Sequence, residues 1–217
     1  MGDIFNILVT GVGGQGVVLL GKSLRVYAMK TPFIKNVVGT ETKGISQGSS
    51  IMATARYLIE SRAYSLEQDY DIEDLISPKI PINDAHLVLG LEPLETIRNI
   101  KYISEKTFVV MNTHQIFPSN ATIDSDKEKG YPSVADIIDI LDQLARKTVS
   151  LDFNELSEAK FNDGKYANII LFGAGIKEFK FFFDKKLIKT ILNEIYGQSK
   201  KGLEAFELGY SLIDEYK

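Results

Sequence analysis

Residues 4–20, Ile4-Phe5-Asn6-Ile7-Leu8-Val9-Thr10-Gly11-Val12-Gly13-Gly14-Gln15-Gly16-Val17-Val18-Leu19-Leu20, decide the fold. Ile4, Ile7, Leu8 and Val9 form a short apolar run rich in β-branched residues, the pattern of a strand buried on both faces of a parallel sheet. Thr10 closes it. Four glycines in the six positions from Gly11 to Gly16 then let the backbone turn sharply. Val17, Val18, Leu19, Leu20 and Leu24 continue at helical spacing, which predicts a helix over 15–29 that ends before Pro32. A strand, a glycine turn and a helix in that order form a Rossmann-like first βα unit. They aim the first free N–H groups of the helix out of the sheet edge, where anions bind.

Gly11, Gly13 and Gly16 satisfy G-x-G-x-x-G with the strand and helix that the motif requires. Two readings stay open from these residues: a phosphate cradle, or a tight turn that lets helix and strand pack closely. A dinucleotide site would also carry an Asp or Glu about 20 residues further on, at the tip of the second strand. Here that strand, 33–38, has no carboxylate before Glu41, which weakens NAD as a ligand. The polar, glycine-rich stretch 39–50 then reads as a loop leaving the same sheet edge as the glycine turn.

Composition bounds the function. The chain has 217 residues, 44% hydrophobic and 25% charged, which fits one domain over 1–217. A net charge of -4 gives no broad cationic face, so no nucleic-acid partner is expected. No apolar run approaches the roughly 20 residues of a membrane span, so no membrane partner is expected either, and the location read from this is cytoplasmic. There is no cysteine, which excludes disulfides, thiolate catalysis and any iron–sulfur cluster held by this chain's own thiolates. With only His86 and His114, no metal site is expected; His114, just past a strand, is the better catalytic candidate of the two.

Further strands are expected over 51–57 (paired with 61–64), 86–90, 107–112 and 148–152, with a solvated acidic excursion over 67–74 and an exposed polar stretch over 120–129. Glu92-Pro93 marks a helix start, and Ser133 caps another helix. Residues 154–161, 187–195 and 201–216 read as helices, and 166–176 as a helix apolar almost all round. In that last helix Gly173, Ala174 and Gly175 permit close approach of another backbone, either inside the chain or across a homodimer of the isolated protein. The alternation of strands and helices predicts an α/β fold, a three-layer α/β/α sandwich with a mostly parallel sheet.

Taken in order, NILVTGVGGQGVVLLGKSL, GTETKGISQGSSIMATARY, LVLGLEPLETIRNI, YPSVADI, NIILFGA and KGLEAFELG resemble the gamma subunit or domain of 2-oxoacid (pyruvate, 2-oxoglutarate):ferredoxin oxidoreductases, and among them the small subunit of the indolepyruvate enzymes. The resemblance implies a complex that decarboxylates a 2-oxoacid on thiamine diphosphate, passes electrons through iron–sulfur clusters to ferredoxin, and gives the acyl group to coenzyme A. It implies that a larger partner subunit carries the thiamine diphosphate and the clusters, with none held by this chain. It further implies that Gly11, Gly13, Gly14, Gln15 and Gly16 form one loop, and Glu41, Lys43, Gly44, Ser46 and Gln47 a second, both facing the partner's cofactor. Related small subunits carry E-V-H-G-M-x-Q-R where this chain has Glu41-Thr42-Lys43-Gly44-Ile45-Ser46-Gln47-Gly48. Lys43 replaces the histidine and no arginine follows Gln47; lysine offers a point charge without the planar fork that makes arginine a bidentate clamp. Two other readings of the residues are a free-standing NAD- or FAD-binding oxidoreductase and a non-enzymatic binding module on the same fold.

Overall fold

The 4–20 stretch folds as its pattern predicts. In the computed structural model, which describes residues 2–43, 49–60, 77–116, 131–197 and 199–215, strand β1 (Gly2–Val12) runs through the glycine turn into helix α1 (Val17–Met29). Phe5, Ile7 and Val9 of β1 point to one face of the sheet and Leu8 to the other, where Asn6 and Thr10 also point. Ile7, Leu8 and Val9 are fully buried, and each contributes about 1.5–3 kcal/mol by leaving water.

The remaining strands are β2 (Ile34–Val38), β3 (Glu41–Lys43), β4 (Ser50–Glu60), β5 (Leu87–Gly90), β6 (Phe108–Asn112) and β7 (Lys147–Leu151). They form one sheet in the order β2-β4-β1-β5-β6-β7, with β3 paired to β4. β1, β5, β6 and β7 are mutually parallel, while β4 runs against β1, β2 and β3. Six of these seven strands therefore point the same way, but β4 makes three of the six pairings antiparallel, so the sheet is mixed.

Helices α2 (Pro93–Arg98) and α3 (Val134–Leu144) cover one face of the sheet, where Ile137 and Leu141 meet Leu8, Val88, Val109 and Met111. On the other face lie α1 and α5 (Ala167–Glu178), backed by α4 (Phe153–Phe161), α6 (Lys185–Tyr196) and α7 (Lys200–Leu212). Two helical layers with a sheet between them make the expected α/β/α sandwich. Glu92 and Ser133 cap α2 and α3 as their sequence signals predict.

One expectation is corrected, and the structure settles two features that the residues left open. β4 inserts between β2 and β1 and pairs with β1 along its whole length, from Gly2 opposite Glu60 to Val12 opposite Ser50. Residues 41–43, read as part of a loop, form β3, whose backbone groups are taken up by Ile51, Met52 and Ala53 of β4. The small residues of α5 serve packing within the chain: a Cβ on Gly173 would lie 2.3 Å from the Phe206 carbonyl oxygen of α7, and one on Gly175 would lie 2.5 Å from the Leu89 side chain of β5. Strand 51–57 extends to 50–60; its expected pairing with 61–64, and the stretches 67–74 and 120–129, lie outside the described residues.

Candidate functional site

The carboxyl ends of the parallel strands carry the glycine turn, at the edge where ligands of open α/β sheets bind. Gly14 and Gly16 have φ of 101° and 86°, which side chains bearing a Cβ adopt only with strain. Gly16 is the N-cap of α1, and no side chain caps this helix; its first turn also lacks an acidic residue. By contrast Glu92, Ser133, Asp152, Asp184 and Ser199 each accept a first-turn N–H in α2, α3, α4, α6 and α7. The α1 N-terminus is left with its partial positive charge unanswered by its own side chains.

The turn is held from three sides. Gln15 accepts the Val12 N–H at 2.8 Å through Oε1 and donates at 2.7 Å to the Leu91 carbonyl through Nε2. The Asn168 amide of α5 donates at 3.0 Å to the Gln15 carbonyl, and the Gly13 N–H donates at 3.0 Å to the Ser49 carbonyl at the approach to β4. Gly11 and Lys43 pair with Ile51 from opposite sides, which brings their backbones within about 10 Å, two strand spacings. The glycine turn and the described start of the second predicted group, Glu41 and Lys43, therefore share one edge. Glu41 is engaged in an ion pair with Arg25 of α1, and both side chains are largely buried. Gly44, Ser46 and Gln47 lie outside the described residues.

Beside the turn lies a polar network that sequence reasoning missed. Glu92 and Glu95, at the start of α2, are only 1% and 2% exposed. Glu92 accepts the Glu95 N–H at 2.8 Å, the Ile116 N–H at 3.4 Å and the Tyr131 hydroxyl; that hydroxyl in turn accepts the Leu94 N–H at 3.0 Å. Glu95 accepts the Ser50 hydroxyl and the Arg98 guanidinium. Burial pushes the Glu92 carboxyl above the usual range, although the hydrogen bonds from Tyr131, Glu95 and Ile116 oppose it. Burial also raises the Tyr131 hydroxyl, and the Glu92 hydrogen bond raises it further. Glu92-Pro93 is legible as a helix start, but nothing adjacent in sequence signals that its carboxylate is buried against Tyr131.

Asn112 ends β6 by accepting the Phe153 N–H at 3.0 Å and donating to Asn154 at 2.8 Å, which ties β6 to α4. His114 follows it, half exposed, with Nδ1 3.7 Å from an Asp152 carboxylate oxygen. His86 sits at the other end of the sheet, where its Nδ1 accepts the Asn6 N–H at 3.1 Å; burial, aided by Lys106, pushes its pKa down to about 4. Among the described residues no group of three or more His, Cys, Asp and Glu side chains could hold a metal ion, and no helix is long and apolar enough to cross a membrane. The arrangement offers backbone donors at a helix N-terminus inside a rigid hydrogen-bonded rim. Donors so placed are suited to an anion.

Solved structures share this architecture. Pyruvate oxidoreductase subunit PORC from Thermotoga maritima superposes with a TM-score of 0.61 at 13% identity, over 95% of this chain and 93% of that one. The 2-oxoglutarate:ferredoxin oxidoreductase from Magnetococcus marinus, solved with 2-oxoglutarate, coenzyme A and succinyl-CoA bound, gives 0.62 at 16% identity over 98% of this chain and 31% of its own longer chain. At these identities the likeness is one of fold. In sequence, the chain is 28% identical over 209 residues, 95% of its length and 94% of the relative's, to indolepyruvate oxidoreductase subunit IorB from Archaeoglobus fulgidus. Residues 6–212, nearly the whole chain, match the pyruvate ferredoxin/flavodoxin oxidoreductase family, to which this chain therefore belongs.

Proposed function

We propose that this chain is the cluster-free small subunit of a 2-oxoacid:ferredoxin oxidoreductase whose substrate is an aryl 2-oxoacid, indolepyruvate first among them. The observation that carries the reading is that a chain matching the family over 6–212 contains no cysteine. Iron–sulfur clusters need thiolate ligands, so on this reading the clusters, and with them the route of electrons to ferredoxin, belong to a larger partner. Thiamine diphosphate, held by that partner, supplies the decarboxylation chemistry, and coenzyme A takes the acyl group. The preference for indolepyruvate rests on the name of the Archaeoglobus relative.

On this reading, residues 1–217 act as one gamma-type domain that borders the partner's active site. Gly11, Gly13, Gly14, Gln15 and Gly16 present the uncapped N–H groups of α1 to an anionic group of coenzyme A or of the partner's cofactor. Glu41 holds its segment against Arg25, and we assign Lys43, Gly44, Ser46 and Gln47 to contact with the same anionic group. A free-standing dinucleotide enzyme is disfavoured by the sheet. The strand whose tip would hold the ribose is separated from β1 by the antiparallel β4, so its end is displaced from the glycine turn by a full strand.

Co-expression with the candidate larger subunit, co-purification and an assay of coenzyme A-dependent dye reduction over aryl and aliphatic 2-oxoacids test the reading. Activity that needs both chains and favours indolepyruvate is expected. A preference for pyruvate or 2-oxoglutarate would overturn the substrate assignment, and a larger subunit fully active alone would overturn the subunit assignment.

A further inference from the structure

Ser50, opposite Val12 at the start of β4, and Tyr131, ahead of α3, are far apart in sequence, yet one run of hydrogen bonds joins them. The Ser50 hydroxyl donates to the Glu95 carboxylate, the Glu95 N–H donates at 2.8 Å to Glu92, and the Tyr131 hydroxyl donates to the other oxygen of Glu92. Each end of this run touches a border. Ser50 starts β4 immediately after Ser49, whose carbonyl takes the Gly13 N–H. Glu92 takes the Ile116 N–H beyond β6, and Tyr131 leads into α3.

The middle of the run is rigid. The Glu95 carbonyl accepts the Thr10 hydroxyl of β1 at 3.1 Å and the Asn99 amide at 2.9 Å, so α2 is fastened to the central strand. Two buried carboxylates are more than a helix cap requires. Burying them is unfavourable unless each is multiply hydrogen-bonded, and a loss at one member leaves its partners unsatisfied. Networks of this kind respond as units.

We propose that Glu92 and Glu95 are positioning residues that act through Ser50 and Tyr131 as one unit, coupling the β4 border of the glycine turn to the border at Ile116, beyond β6. Binding of coenzyme A or of the larger subunit at one border then orders the other. The activity readout rests on the function proposed above; the coupling itself does not.

Ser50→Ala and Tyr131→Phe, singly and together in the co-purified complex, test the inference. Each single change is expected to raise the KM for coenzyme A by about threefold to tenfold while kcat stays within about twofold, as for loss of one or two hydrogen bonds in a binding rim. The double variant should match the worse single variant, because the two changes break the same unit. Effects that multiply, or a KM unchanged in both single variants, would overturn the proposal. Amide hydrogen exchange on the isolated chain reads the same coupling without any enzyme activity. Tyr131→Phe should speed exchange at Gly13, and Ser50→Ala at Ile116, each by about fivefold. Changes confined to the near border would contradict the coupling, whereas a wild-type complex without coenzyme A-dependent activity would sink the proposed function and leave the exchange result to decide this one.

Discussion

The side-chain amide of Asn168 donates at 3.0 Å to the carbonyl of Gln15 and fills the space above Gly16, so the buried helix α5 locks the glycine turn from across the molecule. A Cβ on Gly16 would lie 2.2 Å from the Asn168 amide nitrogen. Gly16→Ala should therefore destabilise the chain twice over, by about 1–2 kcal/mol for the left-handed backbone and further for the contact. Urea unfolding of Gly16→Ala with and without Asn168→Ala separates the two contributions. The second change should restore only the contact part, and full restoration would show that the backbone at Gly16 carries no strain.

Gln15→Ala should weaken folding, because the Gln15 side chain satisfies both the Val12 N–H and the Leu91 carbonyl. The loss should be about 1–3 kcal/mol, measured as a lower urea midpoint in the isolated chain. An unchanged midpoint would mean that water replaces the glutamine in the turn.

Close packing of α5 on α7 depends on Gly209, where a Cβ would lie 1.7 Å from the Ile170 carbonyl oxygen. No rotamer relieves a backbone contact, so Gly209→Ala must push the helices apart, at a loss of about 3 kcal/mol or more. Gly197→Ala provides the contrast: its φ is 78° but nothing stands within 4 Å of the added methyl, so its loss should stay near 1–2 kcal/mol. Thermal unfolding of the two variants should rank them in that order.

Stability should fall in mild acid through His86. Its imidazole titrates near 6.5 when free and near 4 in the fold, because burial and Lys106 disfavour the charge. The unfolded chain thus binds the extra proton between these values, so this stabilisation is complete above about pH 6.5 and is lost as pH falls to 4. The loss amounts to about 3 kcal/mol. Glu92 works in the opposite sense, since its raised pKa makes the fold favour the protonated acid and that stabilisation fades as pH rises through the raised value. Urea midpoints near pH 7 and near pH 5, compared between the wild type and His86→Asn, isolate the histidine; equal pH dependence in the two would contradict its assignment.

Much of the architecture is written locally. The apolar runs of β1, β5 and β6, the glycine turn and the Glu92-Pro93 helix start can each be read from neighbouring residues. The position of β4 cannot. Ala53, Ala55 and Tyr57 face one core while Thr54 and Arg56 are buried on the other face, so the strand shows no solvent side to reveal its register or its neighbours. The site was legible to the same degree. Gly11, Gly13 and Gly16 declare themselves, whereas Asn168 over Gly16 and Tyr131 on Glu92 are contacts between distant segments for which no spacing rule exists.

If this chain completes an oxidoreductase whose redox groups lie on another subunit, activity must depend on the ratio of the two. The experiment is to titrate the purified chain into its separately purified larger partner while following indolepyruvate- and coenzyme A-dependent dye reduction. Activity should be absent with either protein alone and rise to saturation as the chain is added. Full activity of the larger subunit without this chain, or no activity at any ratio, would contradict it.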